Sequence, residues 1–355
     1  MSIKKDIVKI LTKHHASVKD AEESLVDLRW MVLTTPIPEE YRALAWKVML
    51  RLLDVSASCY INLIHRGPSP MDSKIRDDTF RTMATDAYFR EHVSDDMLIR
   101  VLNAFVWVSK KDDKANDTSE EMQLRSKLQR SNLELTYVQG MNVLAAPFLM
   151  VLPEMEAFFA FSTFIWKWCP LYVLPTLKGV HCGIKLVDIC LRVLDPELYG
   201  FLLGKGLTAN MYAFPSVLTF SACTPPLSEL LRLWDIMFAF GFHLNILYII
   251  AQLALIREEL MESLSPAKVL RKLPPLKADA IVPLAVSSCK RLPPDLYEKL
   301  VRHLYDESIA EELGVHVGTA GIPQHDSTTL TTKNDVPPFI KGARSYMNSL
   351  GRRKA

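Results

Sequence analysis

The spacing of apolar residues constrains this chain more than any other feature: long segments repeat them three and four positions apart. Runs of alternating β-branched residues bounded by Asn-Gly or Asp-Gly turns are missing, so the periodicity predicts an all-α protein without a large sheet. Within residues 17 to 32, Ala21, Leu25, Leu28 and Val32 share one helix face. Thr34-Thr35-Pro36-Ile37-Pro38 then stops that helix. Pro38 fits a first helical turn, and Glu39 and Glu40 complement the positive end of the dipole, which predicts a helix over residues 38 to 53. Its apolar face takes Leu44, Met49 and Leu52, with Trp46 supporting the next layer. Residues 85 to 108 read as a further helix through Met97, Val101, Leu102, Phe105 and Val108. From Lys110 to Arg130 the mixed charge predicts a solvated loop and then the start of a helix. Pro170, Pro196, Pro215, Pro225-Pro226, Pro266 and Pro274-Pro275 punctuate the later helical runs. No repeat of fixed period points to a solenoid. After about Leu313, Thr, Gly, Pro and Lys dominate as far as Arg352-Arg353-Lys354, which reads as a mobile tail with a solvated basic end.

Composition narrows the function classes. With 49% hydrophobic residues, 23% charged residues and just 13 glycines among 355, the chain has material for a sizeable core. The 42 Lys and Arg against 40 Asp and Glu leave +2, which is no footprint of a nucleic-acid binder. Cys59, Cys169, Cys182, Cys190, Cys223 and Cys289 form no C-x-x-C pair and no common zinc spacing, so they read as buried free thiols in a reducing compartment. Lys13, His14 and His15 interrupt the N-terminal region before a signal-peptide core could form, which argues against secretion. Two apolar stretches, Val143 to Cys169 and Leu230 to Ile256, approach the roughly 20 residues of a spanning helix. The first holds Pro147, Pro153, Glu154, Glu156 and Lys167, and the second Arg232, Asp235, His243, Asn245 and Gln252. Both therefore read as helices buried inside a protein rather than as membrane spans.

Two short segments carry side chains suited to one reaction. Arg81 lies in Ile75-Arg76-Asp77-Asp78-Thr79-Phe80-Arg81-Thr82, and Gln139 in Tyr137-Val138-Gln139-Gly140-Met141-Asn142. In GTP hydrolysis negative charge spreads over the phosphoryl and leaving-group oxygens, and an inserted guanidinium stabilises it with a permanent charge and a flat fork. An amide accepts from the attacking water with its carbonyl and donates to a phosphoryl oxygen with its NH₂ group. No G-x-x-x-x-G-K-[ST] loop occurs, so GTP and Mg²⁺ would come with another protein and the chain would have no cofactor of its own. Taken singly, each residue has a plain structural reading: Arg81 as an arginine bonded to Asp78, and Gln139 as a turn residue beside Gly140.

Ile75-x-x-Asp78-x-x-Arg81-Thr82, Tyr137-x-Gln139-Gly140-Met141-Asn142, Pro38-x-x-x-Arg42-x-x-x-Trp46 and Leu231-Arg232-Leu233-Trp234-Asp235 resemble, in their order and separations, the TBC domain. The resemblance covers about residues 30 to 265 and implies an all-helical domain in two lobes that activates Rab-type and related small GTPases. Residues 1–29 would then be an N-terminal helical extension, 266–312 helices packed on the domain, and 313–355 a flexible tail. By the same resemblance Arg81 is an arginine finger and Gln139 a glutamine finger. Asp78 and Thr82 support the first, and Tyr137, Gly140, Met141 and Asn142 shape the loop that presents the second. Arg42, Trp46, Arg232, Trp234 and Asp235 match family positions as packing devices. Where many TBC domains place an aromatic and a proline after Arg-Thr, this chain has Met83-Ala84, so the finger helix continues or packs differently. Its size, Tyr137-Val138-Gln139 and Tyr212-Ala213-Phe214-Pro215 resemble the short TBC proteins of the fungal spindle-position checkpoint and septation control. That group implies a Ras- or Rab-like GTPase as partner, a scaffold subunit of a two-component activator, and a place in the cytoplasm at spindle pole bodies.

A non-catalytic helical module that binds a GTP-loaded protein or a checkpoint scaffold is the alternative. An independent hydrolase fits poorly, because G-x-S-x-G, H-E-x-x-H and spaced Cys/His clusters are missing and His181 and His243 read as core or surface residues.

Overall fold

The computed structural model describes residues 2–13, 17–52, 55–110, 117–129 and 133–316. Among the described residues the backbone forms 21 α-helices and one short 3₁₀ turn, and no strand. The expected loop at 111–116 and the expected mobile tail from residue 317 onward, with its basic end, lie outside the described residues.

Local chemistry sets where the helices begin. Ser17 caps Val18–Thr34 by accepting from the Asp20 N–H at 3.2 Å, and that helix runs unbroken through positions 29 and 30. It buries Leu25, Leu28 and Val32 and half-buries Ala21. Pro38 stands at the cap of Glu39–Leu50. There the apolar face differs from expectation: Trp46 is wholly buried beside Met49, whereas Leu44 and Leu52 are only half-buried. The helix expected over 85 to 108 is two helices, Ala87–His92 and Asp95–Ser109. Two successive caps divide it, Asp86 accepting from the Phe89 N–H at 2.9 Å and Ser94 from the Met97 N–H at 3.3 Å. The later prolines act as helix starters: Pro196 and Pro266 occupy the first positions of Pro196–Gly204 and Pro266–Leu270, and Pro226 caps Leu227–Phe240.

The helices assemble in two lobes. In the N-terminal lobe, Ala57–His65, Asp72–Thr79, Met141–Val151 and Glu154–Trp168 pack around Asp95–Ser109. In the C-terminal lobe, Leu244–Leu255 packs between Lys178–Leu194 and Ala278–Arg291. Leu227–Phe240 joins the two by packing on Val18–Thr34, Glu39–Leu50 and Ala278–Arg291. Aromatic rings fill that junction: Trp46 lies 4.6 Å from Phe238 and 6.0 Å from Trp234, and Phe148, Phe161, Phe164, Phe220 and Phe242 continue the cluster. Aromatic pairs of this kind, stacked, tilted or edge-to-face, add about 0.5–1.5 kcal/mol per pair beyond area burial.

The two long apolar stretches break into shorter helices at Leu152-Pro153 and Gly241-Phe242-His243. Among the described residues no helix is long and apolar enough to cross a membrane. Cys59, Cys169, Cys182, Cys190 and Cys289 are buried, but Cys223 is exposed, because it lies in the turn after Phe214–Leu218 and not on a packed helix face.

His243 and His303 are both fully buried. The His303 Nδ1 stands 2.5 Å from the Leu300 carbonyl, so it carries the proton, and Nε2 accepts from the Tyr172 hydroxyl at 2.8 Å. Burial pushes the imidazolium pKa values from 6.5 down to about 3 for His243 and about 4 for His303. Below pH 6.5 the unfolded chain therefore takes up protons that the folded one refuses, and stability falls by up to about 1.4 kcal/mol per pH unit for each histidine. Asp235 acts with the opposite sign, since burial raises its carboxyl to about 6 and protonation below that pH favours the fold. We expect a net loss of stability from pH 6.5 to 4 and a shallower loss in His303→Gln, read from urea unfolding across that range. Equal slopes for the two proteins would remove the histidine as the cause.

Candidate functional site

The Asp72–Thr79 helix ends just before Arg81. It buries Ile75, Asp78 and Thr79, and the chain then turns through residues 80–85. The helix does not continue at Met83-Ala84, because Met83 takes a left-handed φ of 46°. Arg81 keeps 53% of its side chain exposed while Nη2 donates to Oδ1 of the buried Asp78. The plain ion-pair reading of Arg81 is thus present, and it leaves the guanidinium half in solvent.

Gln139 is exposed, and both residues before it and after it are held. Gly140 caps the Met141–Val151 helix with φ 104°, a conformation that side-chain-bearing residues rarely adopt. A Cβ there would also meet Leu218 at 3.0 Å. The Val138 N–H points at the Met141 sulfur at 3.3 Å, and Met141 is buried.

One hydrogen-bond network ties the two turns together. The Tyr137 hydroxyl donates to Asp78 Oδ2 at 2.7 Å, leaving Oδ1 for Arg81. Burial first, and then the Asp78 carboxylate, raise the Tyr137 phenol pKa, so it stays a donor. Asn142 is the hub: its NH₂ group donates to Thr82 Oγ1 at 2.8 Å and to the Asp78 carbonyl at 3.3 Å, and its Oδ1 accepts from the Gly140 N–H at 3.1 Å. Thr82 in turn donates to the Asp78 carbonyl at 3.0 Å. Asp78, Thr82, Tyr137, Gly140, Met141 and Asn142 therefore form a buried platform that carries two exposed tips, Arg81 and Gln139.

The other motif residues lie apart, in the junction between lobes. Asp235 is 1% exposed and accepts from Arg42 Nε at 3.2 Å and from Trp46 Nε1 at 2.6 Å. Burial raises its carboxyl to about 6, and the Arg42 charge and Trp46 N–H oppose that rise, so near neutral pH it is a paired carboxylate. Trp234 Nε1 donates to the Phe220 carbonyl at 3.0 Å, and Arg232 pairs with Asp279 at 2.6 Å. Trp234 thereby holds the segment that carries Leu218, the residue packed on Gly140. That contact has no sequence signal, since nothing local in Phe214–Leu218 names its partner.

The geometry separates support from tips. We expect Asn142→Ala to lower stability by about 1–3 kcal/mol, because it strands the Gly140 N–H and loosens Thr82. Asp235→Ala should lower it by about 3 kcal/mol by leaving the half-buried Arg42 guanidinium and the buried Trp46 N–H without their partner. Gln139→Ala should change it by under about 0.5 kcal/mol, and Arg81→Ala should cost about 1–2 kcal/mol, since it takes the charged partner from the buried Asp78, which keeps its bond from Tyr137. Urea unfolding of the variants checks the order, and an Asn142→Ala variant as stable as the parent would dissolve the platform.

Residues 122–261 match the Rab-GTPase-TBC domain. The chain is 43% identical to cell division control protein 16 of Schizosaccharomyces pombe over 297 residues, covering 82% of this chain and 91% of that protein. It is 38% identical to the mitotic check point protein BUB2 of Saccharomyces cerevisiae, covering 81% of this chain and 94% of that one. In fold it is similar to the crystal structure of the Ypt/Rab-GAP domain of Gyp1p, with TM-score 0.62 at 16% identity over 81% of this chain and 98% of that one. The domain match begins after Arg81, but the alignment with the fission-yeast protein extends well beyond it, and the platform joins Arg81 to the matched span. The chain belongs to the Rab-GTPase-TBC domain family, with cell-division-control and mitotic-check-point proteins among its relatives.

Proposed function

We propose that this chain is a GTPase-activating protein that presents Arg81 and Gln139 to a Ras- or Rab-like small GTPase. The observation that carries the reading is the pairing of two exposed polar tips with one rigid, buried platform. A group that stabilises a transition state on another protein must reach out of its own surface, yet must be ordered before contact. Arg81 would set its permanent charge against the phosphoryl oxygens, exchanging Asp78 for them. Gln139 would orient the attacking water, accepting from it and donating to the phosphoryl group. It stands immediately before the N-terminus of an 11-residue helix, the end that favours negative charge. GTP and Mg²⁺ would arrive with the GTPase.

The names of the relatives at 43% and 38% identity support a role in mitotic check point and cell division control. Within that role we place the protein in the cytoplasm and at spindle pole bodies. There it works with a scaffold subunit as a two-component activator that restrains mitotic exit or septation.

Single-turnover GTP hydrolysis by a panel of Ras- and Rab-like GTPases, with and without added scaffold, tests the proposal. Arg81→Ala should lower the stimulated rate about 10³-fold or more. The loss in the Arg81→Ala, Gln139→Ala double variant should be less than the product of the single losses, because both groups serve one transition state. An active parent with unchanged variants would sink the two-finger assignment. Binding without acceleration across the panel would favour a non-catalytic module.

A further inference from the structure

The residue before Arg81 is an aromatic displayed to solvent. Phe80 is 66% exposed, more than any other aromatic among the described residues. Its exposure follows from helix phase: Ile75, Asp78 and Thr79 form the buried face of Asp72–Thr79, and a step of about 100° per residue carries Phe80 to the opposite side. Its backbone is still helical at φ −60° and ψ −23°, so the ring is mounted on the helix end and not on a free loop. The turn beyond it is fixed by the Thr82 N–H bonded to the Thr79 carbonyl at 2.9 Å and by Asn142 on Thr82.

We propose that Phe80 is an apolar anchor for the GTPase, seated in a hydrophobic patch beside its nucleotide site. The inference rests on Arg81 reaching that site. Neighbouring Cα atoms are about 3.8 Å apart, and a specific interface covers about 800 Å² per partner, so contact at Arg81 brings Phe80 within the covered area. A rigid ring loses little freedom on docking, and desolvated aromatics near the centre of an interface carry much of the binding energy. The ring adds equally to ground-state and transition-state complexes, whereas Arg81 acts on the transition state. Phe80 therefore governs which GTPase is bound and how tightly, while Arg81 governs how fast the bound nucleotide is cleaved. A lone exposed phenylalanine is common on protein surfaces. Its mounting beside the finger residue, on an ordered turn, separates this one from the rest.

The test uses the full chain and the GTPases of the same panel, each loaded with GTP for hydrolysis and with a non-hydrolysable analogue for direct binding. Phe80→Ala should raise the half-saturating concentration about 10- to 100-fold and weaken analogue-state binding equally, with the saturating rate held within about threefold. Phe80→Leu should recover most of the loss, and thermal unfolding of both variants should match the parent. Arg81→Ala should show the reverse pattern, a lost saturating rate with half-saturation kept. Unchanged half-saturation in Phe80→Ala, or binding by no GTPase of the panel, overturns the anchor. Weakened binding in Phe80→Ala with full activity in Arg81→Ala keeps the anchor and overturns the arginine finger instead.

Discussion

A single buried carboxylate joins the two lobes. Asp235, in the helix that bridges them, accepts from Arg42 and Trp46 of an N-terminal helix, 193 and 189 positions away. A carboxylate leaves water only when its lone pairs and charge are met, so the helix pair has essentially one register in which Asp235 can be buried. That register places Trp46 against Phe238 and Trp234 and fixes the aromatic junction around them. Trp234 then bonds the Phe220 carbonyl, and the same segment sets Leu218 on Gly140. The chain of contacts from the lobe junction to the Gln139 turn is thus continuous.

The site itself divides rigidity from reach. The platform residues Asp78, Thr82, Tyr137, Gly140, Met141 and Asn142 are buried, and Arg81 and Gln139, the two residues proposed to act on a transition state, are exposed. An enzyme with its own substrate pocket would enclose those groups. A protein that completes another protein's site has to leave them outside, and their order must come from beneath. Asn142 supplies it with an amide that donates to one turn and accepts from the other.

Much of this was legible in the sequence. Periodicity and capping residues gave the helical class, and the break between Ala87–His92 and Asp95–Ser109 could have been read from Asp86 and Ser94. The motif around Arg81 and Gln139 was visible by residue type and spacing. Trp46 lies in the core itself and not in the expected supporting layer, because amphipathic phase ranks faces within a helix and says nothing about which face meets the aromatic cluster. Cys223 is expected inside because thiols usually are, but in its turn Phe220, Ser221 and Ala222 take the buried positions and Cys223 is left exposed. The exposure of Phe80 is legible too, because the phase of Ile75, Asp78 and Thr79 turns it outward.

The sequence by itself determined what is decided within a turn or two of helix: where helices start, which faces are apolar, and which short segments carry an arginine or an amide suited to phosphoryl chemistry. Only the tertiary structure decided partnership. Asn142 bonds Thr82 across 60 positions and Arg42 meets Asp235 across 193, and no local preference encodes either pairing. Those pairings arise because buried polar groups must find partners within the few angstroms that packing allows, and the packing belongs to the whole chain.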